Sequence, residues 1–159
     1  MLDRFDAVWQ RVTGARNGAT YQQTPQQETD PVRRELEELL RELAGLWRWY
    51  TDFSHRTKGD TARYMGELAQ GVQLRFRQLQ MEYFMQTGDI CTLAEPAPWR
   101  GGVLTGLRKA YGKELELAGR FSNAADRGDA RMAGLYRACG MEGKGRAERL
   151  RERIAQIIK

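Results

Sequence analysis

The residues with the most chemistry in this chain are an acid and two arginines set among hydrophobes: Glu114, Arg75 and Arg146. Glu114 falls in the same helical stripe as Leu104, Leu107, Tyr111, Ala118 and Phe121. A carboxylate on the inward face of a helix is costly unless a metal ion, a cation or a hydrogen-bond donor meets it. Arg75 follows Val72 by three residues, on the flank of another apolar stripe, and Arg146 stands between Gly143 and Leu150 in a third. A buried arginine needs a carboxylate, so Glu114 with Arg75 and Arg146 is the candidate buried ion pair. The alternative is that both arginines run along an edge and place their guanidinium groups in water.

Other constellations are weaker. His55 is the single histidine. A multi-histidine zinc site, or the two Glu-x-x-His motifs of a di-iron bundle, cannot be built from it. Asp52-x-x-His55 puts a carboxylate and an imidazole three apart near a helix end, beside Arg56 and Lys58, where a solvent-facing histidine is expected. The run Gly140-Met-Glu-Gly143-Lys-Gly145-Arg146 lacks Walker A spacing and follows no strand, so its glycines read as packing features of a helix. Gly66, Gly71, Gly112 and Gly119 read the same way. Cys91 and Cys139 lie too far apart in sequence to form a C-x-x-C motif. One reads as a loop residue and the other as a small buried helix residue.

The elements that must position these residues are helices. Asp30-Pro31 combines an N-cap with a proline at the first helical position. The stripe Leu36, Leu39, Leu40, Leu43, Trp47, Tyr50, Phe53 then steps by threes and fours to Lys58-Gly59. Asp60 is placed to cap a second helix with the stripe Met65, Leu68, Val72, Phe76, Leu79, Tyr83, closed by Thr87-Gly88. A loop with Pro96 and Pro98 leads to a third helix from Val103 to about Ala125. The turn Asp126-Arg127-Gly128-Asp129 opens a fourth, carrying Met132, Tyr136, Cys139, Gly143, Leu150, Ile154 and Ile157 inward. Two hairpins joined by a longer crossover predict an all-α, antiparallel four-helix bundle over residues 31–159. Residues 1–30 read as an arm: a short amphipathic helix (Leu2, Phe5, Val8, Trp9, Val12) followed by a polar linker with Pro25.

With 159 residues, 41% hydrophobic and 30% charged, the chain is long enough for one real core. No run reaches the roughly 18–20 apolar residues of a membrane span. The opening Met-Leu-Asp-Arg-Phe-Asp has no apolar signal region, so a cytoplasmic protein is expected. The net charge of +5 is spread among interspersed acids and bases. No groove-reading motif accompanies it, which argues against nucleic acid.

The order of these pieces resembles the ferritin-like, rubrerythrin-related proteins of anaerobic bacteria. The resemblance rests on Leu39-Leu40 through Tyr50, on Tyr83-Phe84-Met85-Gln86-Thr87-Gly88, on Leu107 through Tyr111 to Glu114, and on Tyr136-Arg137-Ala138 through Arg146 to Leu150. Val8-Trp9-Gln10-Arg11-Val12 extends it to the arm. In that family each half of the bundle supplies a lone glutamate and a Glu-x-x-His, which together hold two iron ions. The resemblance places the first lone glutamate at Leu43, or at Glu42 in a register shifted by one, and the first Glu-x-x-His at Val72 and Arg75. It places the second lone glutamate at Glu114. The second Glu-x-x-His falls at Gly143 and Arg146, with Glu142 next door.

One family ligand of six is therefore retained, and arginine neither ligates metal nor tolerates it nearby. The resemblance implies ferroxidase, peroxidase or oxygen-activating chemistry, whereas the residues imply a degenerate site with no cofactor and no catalysis. The function expected is association with itself or a protein partner, as a homodimer or through the arm, with Trp49 and Trp99 as further candidate surfaces. A second expectation is a residual iron-binding oxidoreductase whose changed site uses Glu42, Glu67, Glu114 and Glu142, with Asp52 and His55 as candidate additions. A third is an anion or nucleic-acid binder that uses Arg75 and Arg146 in a central pocket.

Overall fold

A computed structural model of the protein describes residues 30–95, 100–127 and 130–159. The expected arm, Trp99, Pro96, Pro98 and the Gly128-Asp129 part of the last turn lie outside the described residues. The described residues form four helices: α1 (Pro31–Arg56), α2 (Gly59–Thr87), α3 (Val103–Arg127) and α4 (Ala130–Ile158). They make an all-α four-helix bundle, and no helix is long and apolar enough to cross a membrane.

Local chemistry sets the helix ends. The Asp30 side chain accepts a hydrogen bond from the Val32 amide at 3.1 Å, and Pro31 follows it without an amide to leave unpaired. Gly88 closes α2 at φ 72°, a left-handed conformation that favours glycine, and its amide donates to the Phe84 carbonyl. Asp60 does not cap α2. Lys58 holds the cap position, and Asp60 lies inside the first turn, paired with Arg63 at 3.0 Å. Helix α3 runs two residues past Ala125, so Asp126 and Arg127 continue it instead of turning.

Each hairpin doubles back on itself. At one end of the first, Tyr83 of α2 donates to Glu37 of α1 at 2.7 Å; at the other, Ser54 donates to the Ala62 carbonyl at 2.7 Å. In the second, Gly143 of α4 faces Glu114 and Ala118 of α3, while Gly140 faces Ala118 and Ser122. Ion pairs stitch the two hairpins together. Glu35, Glu38 and Glu42 of α1 meet Arg127, Arg120 and Lys113 of α3, while Glu67, Arg75 and Glu82 of α2 meet Arg149, Glu142 and Arg131 of α4. In both seams residue numbers rise on one helix as they fall on the other, so each adjacent pair is antiparallel. Helices α1 and α4 therefore run one way, and α2 and α3 the other.

That arrangement requires the link from α2 to α3 to travel the length of the bundle. Its first half follows α1: Cys91 lies against the Glu37 carbonyl, Arg41 donates to the Thr92 carbonyl and Arg48 to the Ala94 carbonyl. The core between the hairpins contains Leu36, Leu40, Leu43, Tyr50 and Phe53 of α1 and Met65, Val72 and Leu79 of α2. Leu107 and Phe121 of α3 and Met132, Cys139 and Leu150 of α4 belong to the same core. Burial of such side chains contributes about 1.5–3 kcal/mol each and is the main source of stability. The apolar stripe of α4 ends before Ile157, which is exposed in the last turn of the helix along with Ile158.

Candidate functional site

Within this apolar core the described residues hold three fully or nearly buried polar side chains: Gln80, Glu114 and Arg146. Glu114 is 0% exposed and Arg146 retains 9% of its side-chain exposure. Arg146 Nε donates to Glu114 Oε1 at 2.6 Å, and Nη2 donates to Oε2 at 3.2 Å. This forked contact satisfies both carboxylate oxygens with a group whose planar geometry matches them. The Tyr50 hydroxyl, from α1, donates to Oε1 at 2.7 Å. Three helices therefore converge on one carboxylate.

Local sequence provides the room. Side chains on a helix lean toward its N-terminus, so the stem of Arg146 lies over the preceding turn, which contains Gly143. A Cβ added at Gly143 would stand 3.4 Å from Glu114 Oε2 and 3.4 Å from Ala118 Cβ. Any side chain longer than alanine there would contend with the carboxylate. Gly140, one turn earlier, lets the helices meet more closely still, its absent Cβ lying 3.3 Å from the Ala118 carbonyl. These two glycines have the packing role expected, as does Gly66 against Ser54. Gly71, Gly112, Gly119 and Gly145 do not, since nothing lies within 4 Å of an added Cβ at any of them.

Arg75 is not part of the central network. It sits on the outer edge of the α2–α4 seam, where Nε and Nη2 donate to the two oxygens of Glu142 at 2.7 and 2.5 Å. The expected joint pairing of Arg75 and Arg146 with Glu114 thus divides into one buried pair and one partly exposed pair. Arg75, three residues beyond the inward Val72, lies on the flank of α2 that faces α4, where Glu142 holds it. The Arg75 guanidinium holds the Glu142 carboxyl below the usual range.

The positions where the rubrerythrin resemblance puts metal ligands do not form a metal-binding set. Leu43 and Val72 are fully buried hydrophobes, Gly143 has no side chain, and Arg146 brings a positive charge to Glu114, the one buried carboxylate among the described residues. Glu42 pairs with Lys113 at 2.6 Å in the α1–α3 seam, while Glu67 with Arg149 at 3.2 Å and Glu142 with Arg75 are separate pairs along the α2–α4 seam. Asp52 pairs with Arg56, and His55 is exposed. Among the described residues, no three His, Cys, Asp or Glu side chains gather as a metal ion requires. The residues present do not fit a di-iron centre.

Tyr50 is the member that its sequence context conceals, because an aromatic residue in an apolar stripe reads as core. A buried tyrosine nevertheless needs a partner for its hydroxyl, and this is the signal that could have linked it to Glu114. Burial first, and the neighbouring Glu114 carboxylate second, push its phenol well above the ordinary value of 10.0. The folded state therefore keeps Tyr50 protonated where the unfolded chain would ionise it. Its contribution to stability is complete below about pH 10 and is lost as pH rises further. Tyr50→Phe is expected to flatten the alkaline fall in stability, measured by urea unfolding from pH 9 to about pH 11. The two cysteines are buried, and burial pushes the Cys139 thiol up to about 12, so neither carries a reactive thiolate.

Compared with known proteins, the chain matches no family model and no curated protein.

Proposed function

We propose that this chain is a ferritin-like, rubrerythrin-related bundle in which a salt-bridged core has replaced the metal centre, and that it works by association and binding. The observation that carries this reading is the Tyr50–Glu114–Arg146 network. Glu114 stands where the resemblance puts a metal ligand, and Arg146 supplies at that point the positive charge that iron would otherwise bring. The topology is a second support, because bundles with a single long crossover include the ferritin-like folds. An anion at the bundle centre is not favoured, since Arg146 and Arg75 are each held by a carboxylate at two points.

The test is elemental analysis of the purified protein after reconstitution with iron under anaerobic conditions. Less than about 0.1 iron or manganese per chain is the expected result. One or two tightly held ions per chain would overturn the reading and return the protein to the oxidoreductases.

A further inference from the structure

A second feature lies outside the central network, between α1 and the first half of α3. An open groove of about 690 Å³ runs between them, within the roughly 300–1,000 Å³ range of small-molecule sites. Its apolar part is formed by Leu46 and Trp49 of α1 and Ala110 of α3. Gly45 and Gly112 stand on opposite walls, and at neither would an added Cβ meet anything within 4 Å. Glycine inside a helix costs about 0.5–1 kcal/mol relative to alanine. These two glycines answer to no close helix contact and leave the groove open.

The rim is basic. Five cationic side chains line the groove against two carboxylates, Glu42 and Glu116. Both carboxylates face Lys113, at 2.6 and 3.8 Å, and Glu42 also approaches Arg120 at 3.5 Å. Arg41 is engaged by Glu37 and by the Thr92 carbonyl. Arg100, Arg108 and Lys109 have no carboxylate partner among the described residues. Like charges gathered beside a partly apolar floor raise the local potential and favour an anion. Farther along the same seam Glu35 and Glu38 match Arg127 and Arg120, so the excess is confined to this end of α3. A confined excess suits a small anion and not a polymer, which needs a continuous basic track.

Trp49 restricts the ligand further. It is half-buried, and its ring is fixed by Tyr50 at 5.7 Å and Phe53 at 5.1 Å between centroids. An indole held rigid at the edge of a basic groove offers a stacking surface for a planar ring. We propose that the α1–α3 groove binds a small phosphorylated aromatic ligand of the nucleotide class. Arg100, Arg108 and Lys109 hold its phosphates, and Trp49 takes its ring.

The experiment is calorimetric titration of the full chain at low ionic strength with ATP, with inorganic triphosphate and with adenosine. ATP is expected to bind at one site, more tightly than either fragment. The double charge reversal Arg108→Glu/Lys109→Glu is expected to weaken ATP at least about tenfold. Both positions are exposed and have no carboxylate partner among the described residues, so the fold should be unaffected, as thermal melting will verify. Gly45→Phe, which fills open space without altering charge, should weaken ATP to a similar degree, and Trp49→Leu should weaken ATP but not triphosphate. Three results would overturn the proposal: no ATP binding up to about 1 mM, equal ATP affinity in wild type and the charge-reversed variant, or triphosphate binding as tightly as ATP. The last would mark a simple anion patch. Metal content plays no part in these outcomes, so they stand or fall separately from the proposed loss of the iron centre.

Discussion

Glu114→Ala is expected to destabilise the bundle by about 3–5 kcal/mol, read as a lower midpoint in urea unfolding with an unchanged slope. The size follows from what is left behind. Arg146 keeps a full charge with 9% of its side chain exposed, and the Tyr50 hydroxyl loses its acceptor. The gain when the pair forms is modest because both charges lose water, but removing one partner leaves that desolvation uncompensated. A loss below about 1 kcal/mol would mean that Arg146 reaches solvent without difficulty, as surface arginines do. Glu114→Gln should cost less than Glu114→Ala, since the amide oxygen can still accept from Tyr50 or Arg146.

Arg146→Leu is expected to cost a similar 3–5 kcal/mol, because the carboxylate at 0% exposure then keeps Tyr50 as its only partner. Arg75→Leu is the informative comparison. Arg75 and Arg146 occupy equivalent places in the sequence pattern, three residues beyond an inward position, yet Arg75 pairs with a Glu142 side chain that is 42% exposed. A partly solvated pair contributes about 0–1 kcal/mol. The two arginine variants should therefore differ by several-fold in their cost. Equal effects would mean that the charge in the core has no special standing.

Much of the fold is legible because its signals are local and strong. Asp30-Pro31 starts α1 and Gly88 ends α2, each through backbone chemistry that needs only neighbouring residues. The apolar stripes identify all four inward faces, with Ile157, exposed near the end of α4, the exception. Asp60 misleads because an acid just after Lys58-Gly59 suits a cap and a first turn equally well.

The site is half legible for related reasons. Glu114 stands out as an acid between Leu107 and Leu117, and burial follows from that pattern alone. Its partner does not, because one-dimensional spacing gives the angle of Arg75 and Arg146 only to within the width of a helix flank. Three-dimensional packing decides between them: Gly143 opens space beside Arg146, while Glu142 draws Arg75 outward. The basic groove is invisible in the sequence, since it is built from residues of α1 and α3 that only the fold brings side by side.

A double-mutant cycle on Glu114 and Arg146 tests most directly whether one charge pair closes this core. Glu114→Leu, Arg146→Leu and the combined variant would be compared with wild type by urea unfolding. The expected result is a double variant far less damaged than the sum of the two single ones, with a coupling of about 2–3 kcal/mol, since two leucines leave no orphaned charge. Additive losses, with a coupling below about 0.5 kcal/mol, would contradict the pairing and with it the replacement of a metal ion by Arg146.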